Sequence, residues 1–516
     1  MRAGRTWAGW LVLLACWEVA GRLDLVAGGA LPAPSEIAVR FWQDRADYPA
    51  HVAATVQAAA LGFLAGSAVA IAAAMAFVRW PMSERVARGV NVALFALPPI
   101  AIAPVLVIAL QGMTPRIVLA ALSVYFPVMT AAVLGLSQID PRLPDVIRAW
   151  GGGAGTVMRL VRLRSCLPTL LAGLRVAAPA AVLGAILAEF GGGGRWGLGV
   201  YLLGSLGRAD PARLWGIGLT ATAVAGTAYA LFAFLGARSA DATRAVTLAA
   251  VPLPEPPARS RAVALSVGCA AVALPFLLWW LTLKLLGTSP IVARTPWGVV
   301  DYLFFAPASA QARVQVLAAL AQTLPITLLG MAAGLAFAFL LAVLSLVLPA
   351  VGRALLPIAL VTQTMPLVAL TPLLVLLLGR GTAVIVAITV SVTFFPAYVT
   401  LAQGLALVPR AAFDLVRAYG ASWWRELALV AVPSAMPYLF TAAKLAVPRA
   451  LLGVMIAQWL ATGTGLGNLL NQARGYLDYG MVWTVALVSV LVSVLFYQLV
   501  AALEAPVLRR FGATAR

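Results

Sequence analysis

The chain has 516 residues, 63% of them hydrophobic and 10% charged, with a formal net charge of +19. A mean hydropathy of +0.98 is far above that of a soluble domain of this length and places the chain in a lipid bilayer. The positive charge sits on arginines spread over many short loops, which argues against a nucleic-acid partner and fits the basic loops that orient membrane helices.

An α-helix needs about 20 apolar residues to cross the hydrocarbon core, and about twelve such spans are predicted. In the first half they lie near 8–27, 55–78, 89–110, 117–137, 172–190 and 214–236. In the second half they lie near 262–284, 323–348, 355–378, 382–407, 440–461 and 481–503. The first span has Arg2 and Arg5 before it and small residues from Ala27 to Ala30 after it, like a signal peptide. It reads better as a retained helix, because its removal would leave an odd number of spans and invert one half. The N- and C-termini are then expected in the cytoplasm, with Arg79, Arg85, Arg88, Arg142, Arg148, Arg159, Arg162, Arg164, Arg238, Arg244, Arg259 and Arg261 in inside loops. Arg195, Arg208 and Arg213 fall in an outside loop, against this rule.

Positions in the first half recur about 268 residues later. Thr55 maps to Thr323, Pro81 to Pro349, Pro98 and Pro104 to Pro366 and Pro372, Gly197 and Gly199 to Gly465 and Gly467, Asp210 to Asp478, and Trp215 to Trp483. The chain therefore reads as an all-α integral membrane protein built twice, with a first domain at 1–250, a linker at 251–261 containing VPLPEPP, and a second domain at 262–516. An even number of spans per half makes the repeats parallel, related by an axis along the membrane normal.

Two charged amphipathic segments interrupt the apolar pattern at equivalent places, DVIRAWGGGAGTVMRLVRLRSCLP at 145–168 and DLVRAYGASWWRELALVAVPSAMP at 414–437. Val146, Trp150, Ala154 and Met158 recur every four residues, as do Leu415, Tyr419, Trp423 and Leu427, so each segment can offer one apolar stripe on a short helix. Gly151 and Gly420 interrupt those helices and permit a sharp bend. A helix lying on lipid headgroups, anchored by Trp423 and Trp424, is an alternative reading.

Catalytic and metal-binding signals are sparse. Cys16, Cys166 and Cys269 show no CxxC or metal spacing and read as packing residues, and no metal site is expected. His51 is the single histidine and is expected in a solvated outside loop. The candidate intramembrane acids are Glu18, Glu189 and Glu504, which provides poorly for an ion-coupled carrier. Glu189 and its counterpart Gln458 lie at the outer end of the fifth span of each half, where they either meet water or line a path and help set what passes. Lys284 and Lys444 are the only lysines and neither belongs to a GxxxxGK[ST] phosphate loop, so no nucleotide site is expected in this chain.

The paired segments resemble the loop of bacterial ABC-importer permeases that inserts into the ATPase. Asp414, Arg417, Ala418, Gly420, Pro433 and Pro437 match that pattern closely; Asp145, Arg148, Ala149, Gly151 and Pro168 match it in the first half, with Arg164 where the first proline is expected. LPAPSEIAVRFW at 31–42, FALPPIAIAPVLVIAL at 95–110 and GTGLGNLLNQARGYLDYGMVW at 463–483 are similar to the nitrate, sulfonate and taurine branch. The resemblance implies a type I importer permease fold with two normally separate subunits fused, in the bacterial inner membrane. It also implies a non-catalytic chain without a cofactor of its own, two copies of an ATPase subunit that bind ATP and Mg, and an external substrate-binding protein. Trp150, Tyr419 and Trp423 belong to the expected coupling loops. The substrate expected is a sulfonate, taurine, nitrate or related small solute; the iron and thiamine branch and a twelve-helix ion-coupled carrier remain as alternatives.

Overall fold

The computed structural model describes residues 14–25, 31–243, 261–350 and 371–510, less positions 138, 141, 193, 209, 349, 372, 373, 376 and 407. The first half contains α1 (Pro34–Gln43), α2 (Tyr48–Arg79), α3 (Pro81–Ala96), α4 (Pro99–Ala109), α5 (Thr114–Ser137), α6 (Arg142–Ala149), α7 (Ala154–Val157), α8 (Leu163–Phe190), α9 (Leu198–Leu206) and α10 (Pro211–Thr243). The second contains α11 (Arg261–Leu285), α12 (Pro296–Phe304), α13 (Ser309–Val347), α14 (Thr382–Ala406), α15 (Arg410–Ala418), α16 (Trp423–Glu426), α17 (Val432–Ala457), α18 (Gly465–Gly475) and α19 (Tyr479–Arg510). Among the described residues nine helical stretches are long and apolar enough to cross a membrane. The expected span near 355–378 lies largely outside the described residues, as does most of the linker; of the span near 8–27, residues 14–25 are described and 14–22 are helical.

One expected span differs. The stretch at 89–110 is not a straight helix: α3 and α4 meet at a bend of 100°. Leu97 precedes Pro98 and takes an extended conformation (φ −68°, ψ 116°), and Pro98 precedes Pro99 and does the same (φ −75°, ψ 115°). A residue before proline is pushed out of the helical region, and two prolines in succession remove two backbone donors, so the helix stops and restarts.

Each half is assembled around the same contacts. Helix α5 packs on α2 and α8, as α14 packs on α13 and α17. Small residues one turn apart allow the approach. A Cβ added to Gly66 would lie 2.5 Å from the carbonyl oxygen of Ala121, and one added to Gly330 would lie 2.6 Å from Thr389 Cγ2. With Gly62 and Gly334 these form a GxxxG pair in each half, the spacing that lets membrane helices pack backbone to backbone. Trp215 and Trp483, equivalent in the repeat, each meet a tryptophan of their half's first helical stretch, Trp17 and Trp279, with ring centroids 5.3 Å apart in both cases.

The halves also pack on each other. Helix α3 lies against α11, α4 lies against α17 and α19, and Arg474 donates from Nη1 to the carbonyl oxygen of Phe190 at 3.1 Å. Of the cysteines, only Cys166 is buried; Cys16 and Cys269 are exposed, so the packing role expected for them does not hold.

Candidate functional site

The two amphipathic segments fold alike. Helices α6 and α15 both end at a glycine in the left-handed region, Gly151 with φ +77° and Gly420 with φ +75°. Gly151 N donates to Arg148 O and Gly152 N to Ile147 O; Gly420 N donates to Arg417 O and Ala421 N to Val416 O. This is the Schellman pairing, in which a left-handed residue closes the helix and occupies its last carbonyls. The chain then turns extended at Gly153 and Ser422 and enters α7 and α16. Each short helix runs through a π-helical turn, Met158–Arg162 or Leu427–Ala431, into α8 or α17. Pro168 and Pro437 stand at equivalent places inside those long helices, and Pro433 stands in the first turn of α17.

The stripe expected along one helix is therefore divided. Leu415 lies on α15, Tyr419 caps it, Trp423 opens α16 and Leu427 begins the π-turn, so the apolar groups are distributed around a bend. The glycine turn causes this, because an α-helix cannot continue through a left-handed residue. Asp145, Arg148, Ala149, Asp414, Arg417 and Ala418 are exposed, and the aromatic residues at the bend are strongly so, Trp150 at 88% and Tyr419 at 86%. A Cβ added to Gly151 or Gly420 would meet nothing within 4 Å, so the space over each turn is open.

The loops are braced differently. Arg417 spans the second turn to Glu426 on α16. In the first loop Arg148 reaches only Asp145 on its own helix, Nη1 to Oδ1 at 2.9 Å, and the position equivalent to Glu426 is Val157.

Glu189 and Gln458 occupy a second repeated constellation, and both are 1% exposed rather than meeting water. Thr55 Oγ1 donates to Glu189 Oε1 at 2.8 Å and accepts from Leu198 N at 2.8 Å, while Gly199 N donates to Glu189 Oε2 at 2.6 Å. In the second half Thr323 Oγ1 donates to Gln458 Oε1 at 3.1 Å and accepts from Leu466 N at 2.9 Å, and Gly467 N donates to the same Oε1 at 3.2 Å. Each side chain thus collects the free N–H groups at the start of α9 or α18 and ties that short helix to α2 or α13. His51 is part of the first cluster. Far from being a solvated loop residue, it is 8% exposed, stacks on Tyr201 with centroids 4.6 Å apart, and places Nδ1 2.8 Å from Gly197 O. Sequence reasoning saw Thr55 and Thr323 as repeat markers but not as partners of Glu189 and Gln458. It missed Arg116, whose Nη1 is 3.8 Å from Glu189 Oε1 and donates to Trp196 O at 2.6 Å.

Comparison with known proteins agrees with the duplication. The family described as binding-protein-dependent transport system inner membrane component matches residues 62–244 and again residues 330–509. A probable ABC transporter permease protein of Haemophilus influenzae is 31% identical over 176 residues, covering 33% of this chain and 72% of the relative. A formylaminopyrimidine transport permease protein of Halalkalibacterium halodurans is 32% identical over 173 residues, 33% of this chain and 69% of the relative. A riboflavin transport system permease protein of Chloroflexus aurantiacus is 30% identical over 152 residues, 30% of this chain and 57% of the relative. A putative aliphatic sulfonates transport permease protein of Bacillus subtilis is 25% identical over 147 residues. The chain is thus a multi-pass, non-catalytic permease with an internal duplication, and it belongs to the family of inner membrane components of binding-protein-dependent ABC transport, carrying that family's domain twice.

Proposed function

We propose that this chain forms the whole transmembrane path of an ATP-driven importer, each half acting as one permease subunit. The observation that carries the reading is the repeated helix, glycine turn and short helix at 142–157 and 410–426, with exposed aromatic and charged residues around an open bend. Such a bend is a self-contained projection that can seat in a cleft of another protein, and its continuation into α8 or α17 passes movement to a membrane helix. The long helix is stiff enough to act as a lever.

In this reading both termini lie in the cytoplasm, and the loops take one ATPase subunit each. The ATPase subunits bind ATP and Mg, since this chain has no phosphate loop with a lysine. Closure of the ATPase pair then switches the path between inward and outward access. An external binding protein delivers the solute. The relatives named for sulfonates and for formylaminopyrimidine support a small organic substrate, with the sulfonate and taurine class preferred on the segments at 31–42, 95–110 and 463–483. Glu189 and Gln458 act on the path indirectly, by holding α9 and α18 in place at its outer end.

Coexpression with the cognate ATPase, followed by mass measurement of the detergent-purified complex, tests the assignment. Two ATPase copies per chain are expected, and one copy would reject the two-loop reading. Calorimetry of the partner binding protein against sulfonates and pyrimidines identifies the solute.

A further inference from the structure

The first loop carries a basic pair, Arg159 and Arg164, that its counterpart lacks. Gly155, Thr156, Arg159, Leu160 and Arg164 line an open cavity of about 680 Å³. The π-turn builds it: in α-helical geometry residues five apart point well away from each other, whereas the wider π-turn, bonded from i to i+5, brings Arg159 and Arg164 toward one side. Both arginines are exposed, and no acidic residue lines the cavity. At the equivalent positions of the second half stand Ala428 and Pro433, so the basic pair is not part of the repeat.

Its depth identifies the environment. At 1.5 Å per residue the helix from Arg164 to Phe190 is about 40 Å long, roughly 10 Å more than the ~30 Å hydrocarbon core. With Phe190 at the outer edge of the bilayer, as in the reading above, Arg164 falls at the inner headgroup layer, while the loop tip at Trp150 lies beyond it. Leu160, Leu163 and Leu167 are exposed on the same stretch, an apolar strip suited to acyl chains below a cationic pocket.

We propose that this cavity binds the phosphate of an anionic phospholipid, Arg159 and Arg164 pairing with the phosphate oxygens and Thr156 Oγ1 donating to one of them. The lipid fixes the start of α8 to the inner leaflet and so steadies a loop that has no counterpart of the Arg417 to Glu426 clasp. Binding needs only the inner-leaflet placement of this loop; the steadying role rests on the coupling reading above.

Full-length protein in nanodiscs of phosphatidylcholine with phosphatidylglycerol is released for native mass spectrometry, and retained phosphatidylglycerol is counted. Each basic residue near an anionic headgroup contributes enough that Arg159→Gln with Arg164→Gln weakens retention by roughly 30-fold. Arg159→Lys with Arg164→Lys keeps most of it, and Arg425→Gln in the second loop changes nothing. Equal retention in the wild type and the double glutamine variant overturns the proposal. Displacement by millimolar inorganic phosphate would instead mark a soluble-anion site. Loss of one ATPase copy by the glutamine variant in discs of pure phosphatidylcholine would assign the arginines to the ATPase. Lipid binding with unchanged ATPase copy number upholds the site whether or not the loop couples.

Discussion

Arg417 grips Glu426 across the glycine turn of the second loop with two hydrogen bonds, Nε to Oε1 at 2.7 Å and Nη2 to Oε2 at 2.8 Å. The paired geometry matches a planar guanidinium to a carboxylate and fixes the angle between α15 and α16, although the site is open to solvent. Glu426→Gln keeps the shape and removes the charge. Hydrogen exchange at residues 410–426 should quicken in this variant, and ATP-driven uptake in vesicles should fall severalfold. Exchanging the two residues, Arg417→Glu with Glu426→Arg, should recover part of both losses. Unchanged exchange in Glu426→Gln would show that the turn holds its angle without the clasp.

Gly151 and Gly420 have nearly the same φ and the same open surroundings, so a side chain at either meets the same backbone penalty, about 1 to 2 kcal/mol for a left-handed residue. Any difference between matched substitutions then reports the partner that covers the turn. Tyr419, Trp423 and Trp424 flank the second turn in the sequence, whereas the first has Trp150 before it and Gly152, Gly153 and Gly155 after it. Gly420→Trp should therefore reduce uptake more than Gly151→Trp at equal membrane expression. Equal losses would mean that the two loops are gripped alike.

Arg213 holds Asp44 through Nε to Oδ2 at 2.6 Å and Nη2 to Oδ1 at 2.5 Å, joining α10 to the end of α1. Burial disfavours the charged carboxylate, but the hydrogen bonds and attraction from Arg213, with Arg40 behind it, outweigh that and hold Asp44 below its ordinary value of 3.8. A carboxyl group lowered by folding stabilises the protein above its unfolded value, and that contribution is lost as pH falls through the folded one. Thermal unfolding of the wild type should steepen in its pH dependence below about pH 4, and Asp44→Asn should flatten that part of the curve while lowering stability at neutral pH. A wild-type curve matching that of Asp44→Asn throughout would remove the pair from the stability of the α1–α10 contact.

The duplication, the paired loops and most spans were legible in the sequence because each rests on composition or on spacing that a bilayer enforces. The 100° bend after Ala96 was not read, although Pro98 and Pro99 announced it, because an apolar run was given precedence over the prolines inside it. The GxxxG pairs at Gly62 and Gly330 were equally available. The solvated reading of His51, and the reading in which Glu189 meets water, failed for a different reason. The partners of these two side chains are 146 and 134 residues distant in the chain, and polarity alone does not separate a side chain that meets water from one that meets backbone N–H groups. The bend in the stripe from Leu415 to Leu427 was legible, since Gly420 was expected to permit it, whereas periodicity alone would have carried one helix through the left-handed turn.

Arg116 and Glu189 in the first half are replaced together in the second, by Ile385 and Gln458. Each half keeps the threonine and the N–H groups of the short helix α9 or α18, yet one version pairs a guanidinium with a carboxyl group and the other sets an amide beside an apolar side chain. A buried charge left without its opposite is expensive, and breaking a buried pair by removing one member costs about 3 kcal/mol or more, whereas replacing both by neutral groups can be close to neutral. Arg116→Ile should therefore destabilise the protein, leaving Glu189 held by Thr55 and Gly199. Glu189→Gln should do so as well, by weakening the attraction that holds Arg116 between Glu189 and the Trp196 carbonyl. The double substitution rebuilds in the first half the arrangement that the second half already uses, so its melting temperature should recover most of the loss of either single change. Fluorescence-detected unfolding of the four proteins in one detergent completes the cycle. Additive losses in the double variant would show that the two residues stabilise the outer end of α8 independently.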